Sequence, residues 1–249
     1  MKLNLFKSFA ANTVTSLNIF CGFLSLVFAS QDNFMLAAIF IMAAAIFDAL
    51  DGIVARLLNT SSKFGVELDS LSDVVSFGAA PSFLIYKAFA FQFGNIGILI
   101  SSLLLIFGAL RLARFNITIQ DLNTKSDFTG LPIPLSAITI SLLIFSFYKD
   151  GKIIEPINYF IFPLVLLLSF LMVSKIRYNA LPKLKDKSIK QKLIYILVLL
   201  VGIILTILSK GYIAFFIFLG VILFGIVRAI YKKIFFNNTK IQELKIREN

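Results

Sequence analysis

An all-α, polytopic membrane helix bundle is the fold this sequence predicts, on three observations. The chain is 59% hydrophobic, with 28 Phe and neither Trp nor His, and its mean hydropathy is +0.92, which excludes an ordinary water-soluble domain. Apolar runs of roughly 20 residues, long enough to cross a bilayer core, recur from one end to the other. Lipid offers no partner to exposed backbone N–H and C=O groups, so each run is expected to be a helix. A β-barrel would need short alternating segments, and none is present.

Eight transmembrane helices are expected, at 9–30, 34–57, 65–90, 95–115, 132–148, 154–174, 192–209 and 211–231. The first contains polar residues ("NTVTSLN") and lacks a small-residue cleavage pattern at its end, so it reads as a retained span rather than a signal peptide. The second and third are joined by the short polar turn "NTSSKF". The substantial polar loops are 117–131, "ITIQDLNTKSDFTGL", and 175–191, "KIRYNALPKLKDKSIKQ". The last two spans are nearly free of ionisable groups in their interiors and are assigned to packing or dimer contacts. Cys21, the single cysteine, lies inside the first span, so neither an intrachain disulfide nor a thiolate metal cluster is available.

The net charge of +11 does not point to nucleic acid once its distribution is followed. Assigned to alternating sides of eight spans, the 24 Lys and Arg divide into twenty on one side and four (Lys87, Lys149, Lys152, Lys210) on the other. The positive-inside rule then puts both termini, and the 47–73 stretch, on the cytoplasmic face. The basic tail "RAIYKKIFFNNTKIQELKIREN" reads as a solvated anchor beside anionic lipid.

The chemistry concentrates in "FDALDGIVARLLNTSSKFGVELDSLSD", from Phe47 to Asp73. On a helix Asp48 and Asp51 are offset by about 60° and Asp69 and Asp73 by about 40°, so each pair shares a face. The short turn makes the two helices antiparallel neighbours and brings four carboxylates together at one membrane surface. Four such charges in a partly dehydrated site repel one another unless a cation neutralises them. All-oxygen ligation without His or Cys suits Mg²⁺ or Mn²⁺, and also Ca²⁺. Gly52 and Ala55 leave space on the Asp48–Asp51 face, and Arg56 supplies a cation one turn on, which together suggest phosphate. Two metals bridging a pyrophosphate, with one carboxylate left to accept a proton, would suit phosphoryl or phosphatidyl transfer. Against this stands the reading of intramembrane Asp as proton-relay or packing residues. Glu67 falls about 200° from Asp69 and outside the cluster.

The spacing D-x2-D-G-x2-A-R-x8-G-x3-D-x3-D, met here by Asp48, Asp51, Gly52, Ala55, Arg56, Gly65, Asp69 and Asp73 without departure, resembles the signature of the CDP-alcohol phosphotransferase family. "LDSLSDVVSFGAAPSF", "LRLARFN" and "FTGLPIP" resemble that family's membrane-integral phosphatidylserine synthases. So does "ANTVTSLNIFCGF", although Ala11 stands where that group usually has proline.

The resemblance implies an integral protein of the cytoplasmic membrane, its site facing the cytoplasm, that converts CDP-diacylglycerol and L-serine to phosphatidylserine and CMP. It implies two Mg²⁺ or Mn²⁺ ions on Asp48, Asp51, Asp69 and Asp73, with Ca²⁺ as a non-productive occupant. Asp73 is implied as general base, which suits a chain without His, because a serine hydroxyl needs a positioned base. Asn12, Thr15, Asp48, Gly52, Arg56 and Ser62 are implied to contact the CDP group. Arg111 and Arg114, spaced i, i+3, are candidates for the serine carboxylate, with Asn116 completing the pocket; the alternative makes both arginines interfacial anchors. A homodimer is implied as well. The whole chain reads as one domain, with a catalytic core over about 9–148, additional spans in 154–231 and a cytoplasmic tail at 232–249. Two other functions stay open on the residues alone: the same chemistry on glycerol 3-phosphate or an inositol phosphate, and a divalent-cation or proton-coupled transporter. The absence of a second acidic stretch in 130–249 counts against the transporter.

Overall fold

The computed structural model describes residues 2–58, 62–120, 130–176, 178, 206 and 208–247, and within them the protein is a helical bundle. Helix α1 (Lys2–Ser30) and helix α2 (Phe34–Leu58) form an antiparallel hairpin. Its turn closes because Asp32 takes a positive φ of 60° and the Asn33 side chain accepts a hydrogen bond from the Leu36 amide at 3.3 Å, capping α2. The seam is lined by small side chains, with Ala29, Ala37, Ala38 and Ala44 fully buried. Small residues let helix backbones approach where lipid gives no hydrophobic drive for association.

The expected third span is helical throughout but not uniform. Helix α3 (Lys63–Asp73) gives way to a π-helical turn at Val74–Ala79 and then to helix α4 (Ala80–Ala88). Ser62 starts α3, its side chain accepting from the Gly65 amide at 3.0 Å. The π turn, absent from the periodicity argument, lies against α1, where Ser76 donates to the Asn18 carbonyl at 2.9 Å. Gly22 permits this approach: a Cβ there would meet Ser76 Oγ and lie 2.8 Å from Ser76 Cα. Gly22→Ala is therefore expected to push α1 off the π turn and cost about 1–3 kcal/mol, seen as a lower thermal midpoint in detergent; an unchanged midpoint would remove the close-approach argument.

A 3₁₀ turn (Ala90–Phe93) leads into helix α5 (Gly94–Gln120). Because α5 continues past the expected end at 115, Asn116 lies on regular helix, as Arg114 was already expected to. Helix α6 (Ile133–Phe147) is innermost, with most of its 15 residues buried. It leads to an unforeseen two-stranded antiparallel hairpin, β1 (Tyr148–Lys149) with β2 (Lys152–Ile153). Asp150 and Gly151, at φ 50° and 78°, supply the left-handed pair that a tight hairpin turn needs. Helix α7 (Ile157–Val173) and helix α8 (Tyr212–Arg247) complete the described elements.

Among the described residues four stretches are long and apolar enough to cross a membrane: Asn12–Ser30, Phe34–Val54, Ala90–Ile117 and Tyr212–Ile234. α6 and α7 are shorter apolar helices. The span expected at 192–209 falls almost wholly outside the described residues, as do nearly all of the 175–191 loop beyond Ile176 and residues 121–129 of the 117–131 loop.

Candidate metal centre

The hairpin α1–α2 and the polar start of α3 set four carboxylates at one end of the bundle. Ligand oxygens of Asp48, Asp51 and Asp69 all lie within 4.8 Å of one another. Asp73, one turn beyond Asp69 and 8% exposed, lies within electrostatic reach of Asp48, Asp69 and Asp51. The convergence expected from helical spacing is met by Asp48, Asp51 and Asp69, with Asp73 nearby. What sequence spacing left unstated is how α3 is held against α1. Ser72 donates to the Thr15 carbonyl at 3.1 Å and Ser76 to the Asn18 carbonyl, so alternate seryl hydroxyls clamp α3 and the π turn to the first helix. The hydroxyls in "LDSLSDVVS" carried that signal: polar groups repeating on a helix at membrane depth need partners.

Thr15, buried at 6% exposure, hydrogen-bonds Asp51 through its side chain. Asn12 approaches Gly65, whose added Cβ would stand 3.6 Å from Asn12 Oδ1 and 3.2 Å from Ser62 Oγ. Asn12, Ser62 and Gly65 therefore lie together, one turn before Thr15 on α1 and Asp69 on α3, and Gly52 follows Asp51 on α2. The side chain of Arg56 lies outside the described residues, as does that of Ala55. Glu67 is exposed.

Helix α5 also reaches the cluster. Arg111 acts electrostatically on Asp73, and its Nε is buried without a hydrogen-bond partner. Arg114 behaves differently: its Nη1 donates to the Val173 carbonyl at 3.0 Å, beside the point where Leu131 donates to the Leu171 carbonyl at 3.0 Å. It fastens α5 to the C-terminal end of α7. Asn116 exchanges hydrogen bonds with Ser70, 3.0 Å from Nδ2 to Oγ, which ties α5 to α3. Ser70 was not singled out in the sequence, because its partner is 46 positions away.

The donor set fits a hard divalent cation. Asp51 Oδ2, Asp69 Oδ1 and Asp73 Oδ1 are buried and orphaned, and buried carboxylate oxygens without partners are costly unless a cation meets them. The arrangement is an all-oxygen one that could hold a metal ion, with a guanidinium beside Asp73.

A sequence model of the CDP-alcohol phosphatidyltransferase family matches residues 8–227. The chain is similar to the CDP-diacylglycerol–serine O-phosphatidyltransferase of Helicobacter pylori strain J99, at 39% identity over 232 residues covering 92% of this chain and 95% of that one. It is similar to the protein of the same name from Methanocaldococcus jannaschii, at 39% identity over 217 residues, 87% of this chain and 92% of that one. The archaetidylserine synthase of Methanothermobacter thermautotrophicus is 42% identical over 167 residues, 66% of this chain and 67% of its own.

Proposed function

Because the chain belongs to the CDP-alcohol phosphatidyltransferase family, we propose that it transfers the phosphatidyl group of CDP-diacylglycerol to the hydroxyl of L-serine, releasing CMP. The observation that carries this reading is end-to-end similarity to a serine transferase, 92% of this chain against 95% of that one, with the four-carboxylate cluster intact. The relatives' names differ in the lipid, diacylglycerol or archaetidyl, and agree on serine, so the acceptor is the more securely transferred part.

In the proposed mechanism Asp48, Asp51, Asp69 and Asp73 would hold two divalent ions, Mg²⁺ or Mn²⁺. Bound there, the ions would neutralise pyrophosphate charge and make CMP a good leaving group. Ca²⁺ would fill the same oxygen shell without turnover. Asn12, Thr15, Gly52, Arg56 and Ser62 line the CDP group, and Asp48 also faces it. Asp73 accepts the proton of the serine hydroxyl as the serine oxygen bonds to the lipid phosphorus and the bond to CMP breaks. Arg111 receives the serine carboxylate as a planar two-donor partner. Arg114 and Asn116 support that pocket, which keeps them near serine while their own hydrogen bonds brace α5.

The membrane reading goes with this. We place eight spans, both termini and the metal centre on the cytoplasmic side of the cytoplasmic membrane, the basic tail beside anionic lipid, and two chains in a homodimer. One domain spans 1–249, its catalytic core at about 9–148.

The deciding experiment is release of CMP from CDP-diacylglycerol by purified protein in detergent with Mn²⁺ or Mg²⁺, with and without L-serine. Serine-dependent release with formation of phosphatidylserine is expected. Release that depends on glycerol 3-phosphate or an inositol phosphate instead would keep the acidic-site mechanism and overturn the acceptor.

A further inference from the structure

Asn18 is a buried polar residue that this mechanism leaves unused. It lies within the membrane-spanning part of α1, is 0% exposed, and neither its Nδ2 nor its Oδ1 has a hydrogen-bond partner. Buried polar groups in folded proteins are met by protein, ordered water or a ligand, and hydrocarbon supplies none of these. An orphaned amide at this depth therefore marks a polar pocket rather than packing alone.

The helix register says which pocket. Thr15 meets Asp51 across the α1–α2 seam. The two helices are antiparallel, so one turn further along α1 faces one turn back along α2, which sets Asn18 at the level of Asp48. The third wall agrees: Ser72 bonds the Thr15 carbonyl and Ser76 the Asn18 carbonyl. Asp73 falls between those two serines along the chain, its carboxylate near that of Asp48. Asn18 is bracketed on the membrane-interior side of the carboxylate cluster by the elements that carry Asp48 and Asp73.

We propose that Asn18 is a positioning residue forming the floor of the metal centre, its side-chain amide available to orient the carboxylates of Asp48 and Asp73 when a cation is bound. A carboxylate that gives one oxygen to a cation leaves the other to accept a hydrogen bond, and a donor beneath it fixes its orientation before the ion arrives. An amide suits this place because it donates without adding a positive charge that would compete with the cation. The inference rests on the metal reading given above.

The test is Mn²⁺ binding to the purified full-length protein in detergent, followed by electron paramagnetic resonance without CDP-diacylglycerol or serine. Asn18→Leu removes both hydrogen-bonding functions at similar volume. It is expected to weaken Mn²⁺ about 10- to 100-fold, while the thermal midpoint in EDTA stays at or above wild type because the orphaned amide is gone. Asn18→Ser, which keeps a shorter donor and acceptor, is expected to recover part of the affinity. Should the Leu variant not fold, Asn18→Ala carries the same expectation. Wild-type Mn²⁺ affinity in the Leu or Ala variant overturns the role of Asn18; a wild type that binds no Mn²⁺ overturns the metal reading itself.

Discussion

Asp73→Asn is expected to lower the turnover number by about 10²- to 10⁴-fold and to leave CDP-diacylglycerol binding within a few-fold of wild type. Asp48, Asp51 and Asp69 form the tight trio, with ligand oxygens within 4.8 Å, whereas Asp73 sits one turn further along α3, its carboxylate near that of Asp48. The amide preserves its shape and one potential metal oxygen but cannot take a proton at a useful pKa. A serine hydroxyl is a weak nucleophile at neutral pH, so losing the base falls on the chemical step. Single-turnover CMP release gives the first number, and equilibrium binding of the nucleotide lipid gives the second. Retained turnover would move the base elsewhere, and loss of binding in step with turnover would make Asp73 chiefly a structural ligand. Asp51→Asn supplies the contrast, because it alters the trio and is expected to impair nucleotide binding together with turnover.

The acidic centre was legible because its determinants are local. Asp48 with Asp51, and Asp69 with Asp73, are set by helical periodicity, whereas the packing of α3 against α1, in place of the α2–α3 neighbourhood expected from the polar turn, needed the tertiary structure. The rim residues were harder to place for the opposite reason. Arg111 and Arg114 are three positions apart on one helix, yet Arg114 is held by the Val173 carbonyl and Arg111 lies against Asp73. Hydropathy marks where a chain crosses lipid, not which partner a long side chain finds across the bundle. The π turn was invisible for a related reason: "VVSFGA" is apolar under any helical period. Its extra backbone residue is held by Ser76 reaching the Asn18 carbonyl on another helix. The β1–β2 hairpin did leave a local signal, Asp150 followed by Gly151 between paired residues, but its strands are only two residues each, shorter than an alternation pattern can reveal.

Arg111→Ala is expected to raise the KM for serine about 10- to 150-fold, from the ~1.5–3 kcal/mol typical of a hydrogen bond to a charged group, with little change in the KM for CDP-diacylglycerol. The guanidinium has a buried Nε without a partner and faces Asp73, so it stands beside the proposed base with donors to spare. A serine carboxylate taken there would bring the hydroxyl of the same small molecule within reach of Asp73, orienting the nucleophile as well as binding it. Arg111→Lys keeps the charge but loses the planar fork, and should recover only part of the serine affinity. Arg114→Ala separates position from charge: its bond runs to Val173, so its loss should lower the thermal midpoint more than it changes serine dependence. Kinetics at varied serine and fixed CDP-diacylglycerol, then the reverse, read these effects apart. A rise in both KM values for Arg111→Ala would mean that the residue shapes the whole centre, and no change in either would make it a membrane-interface anchor.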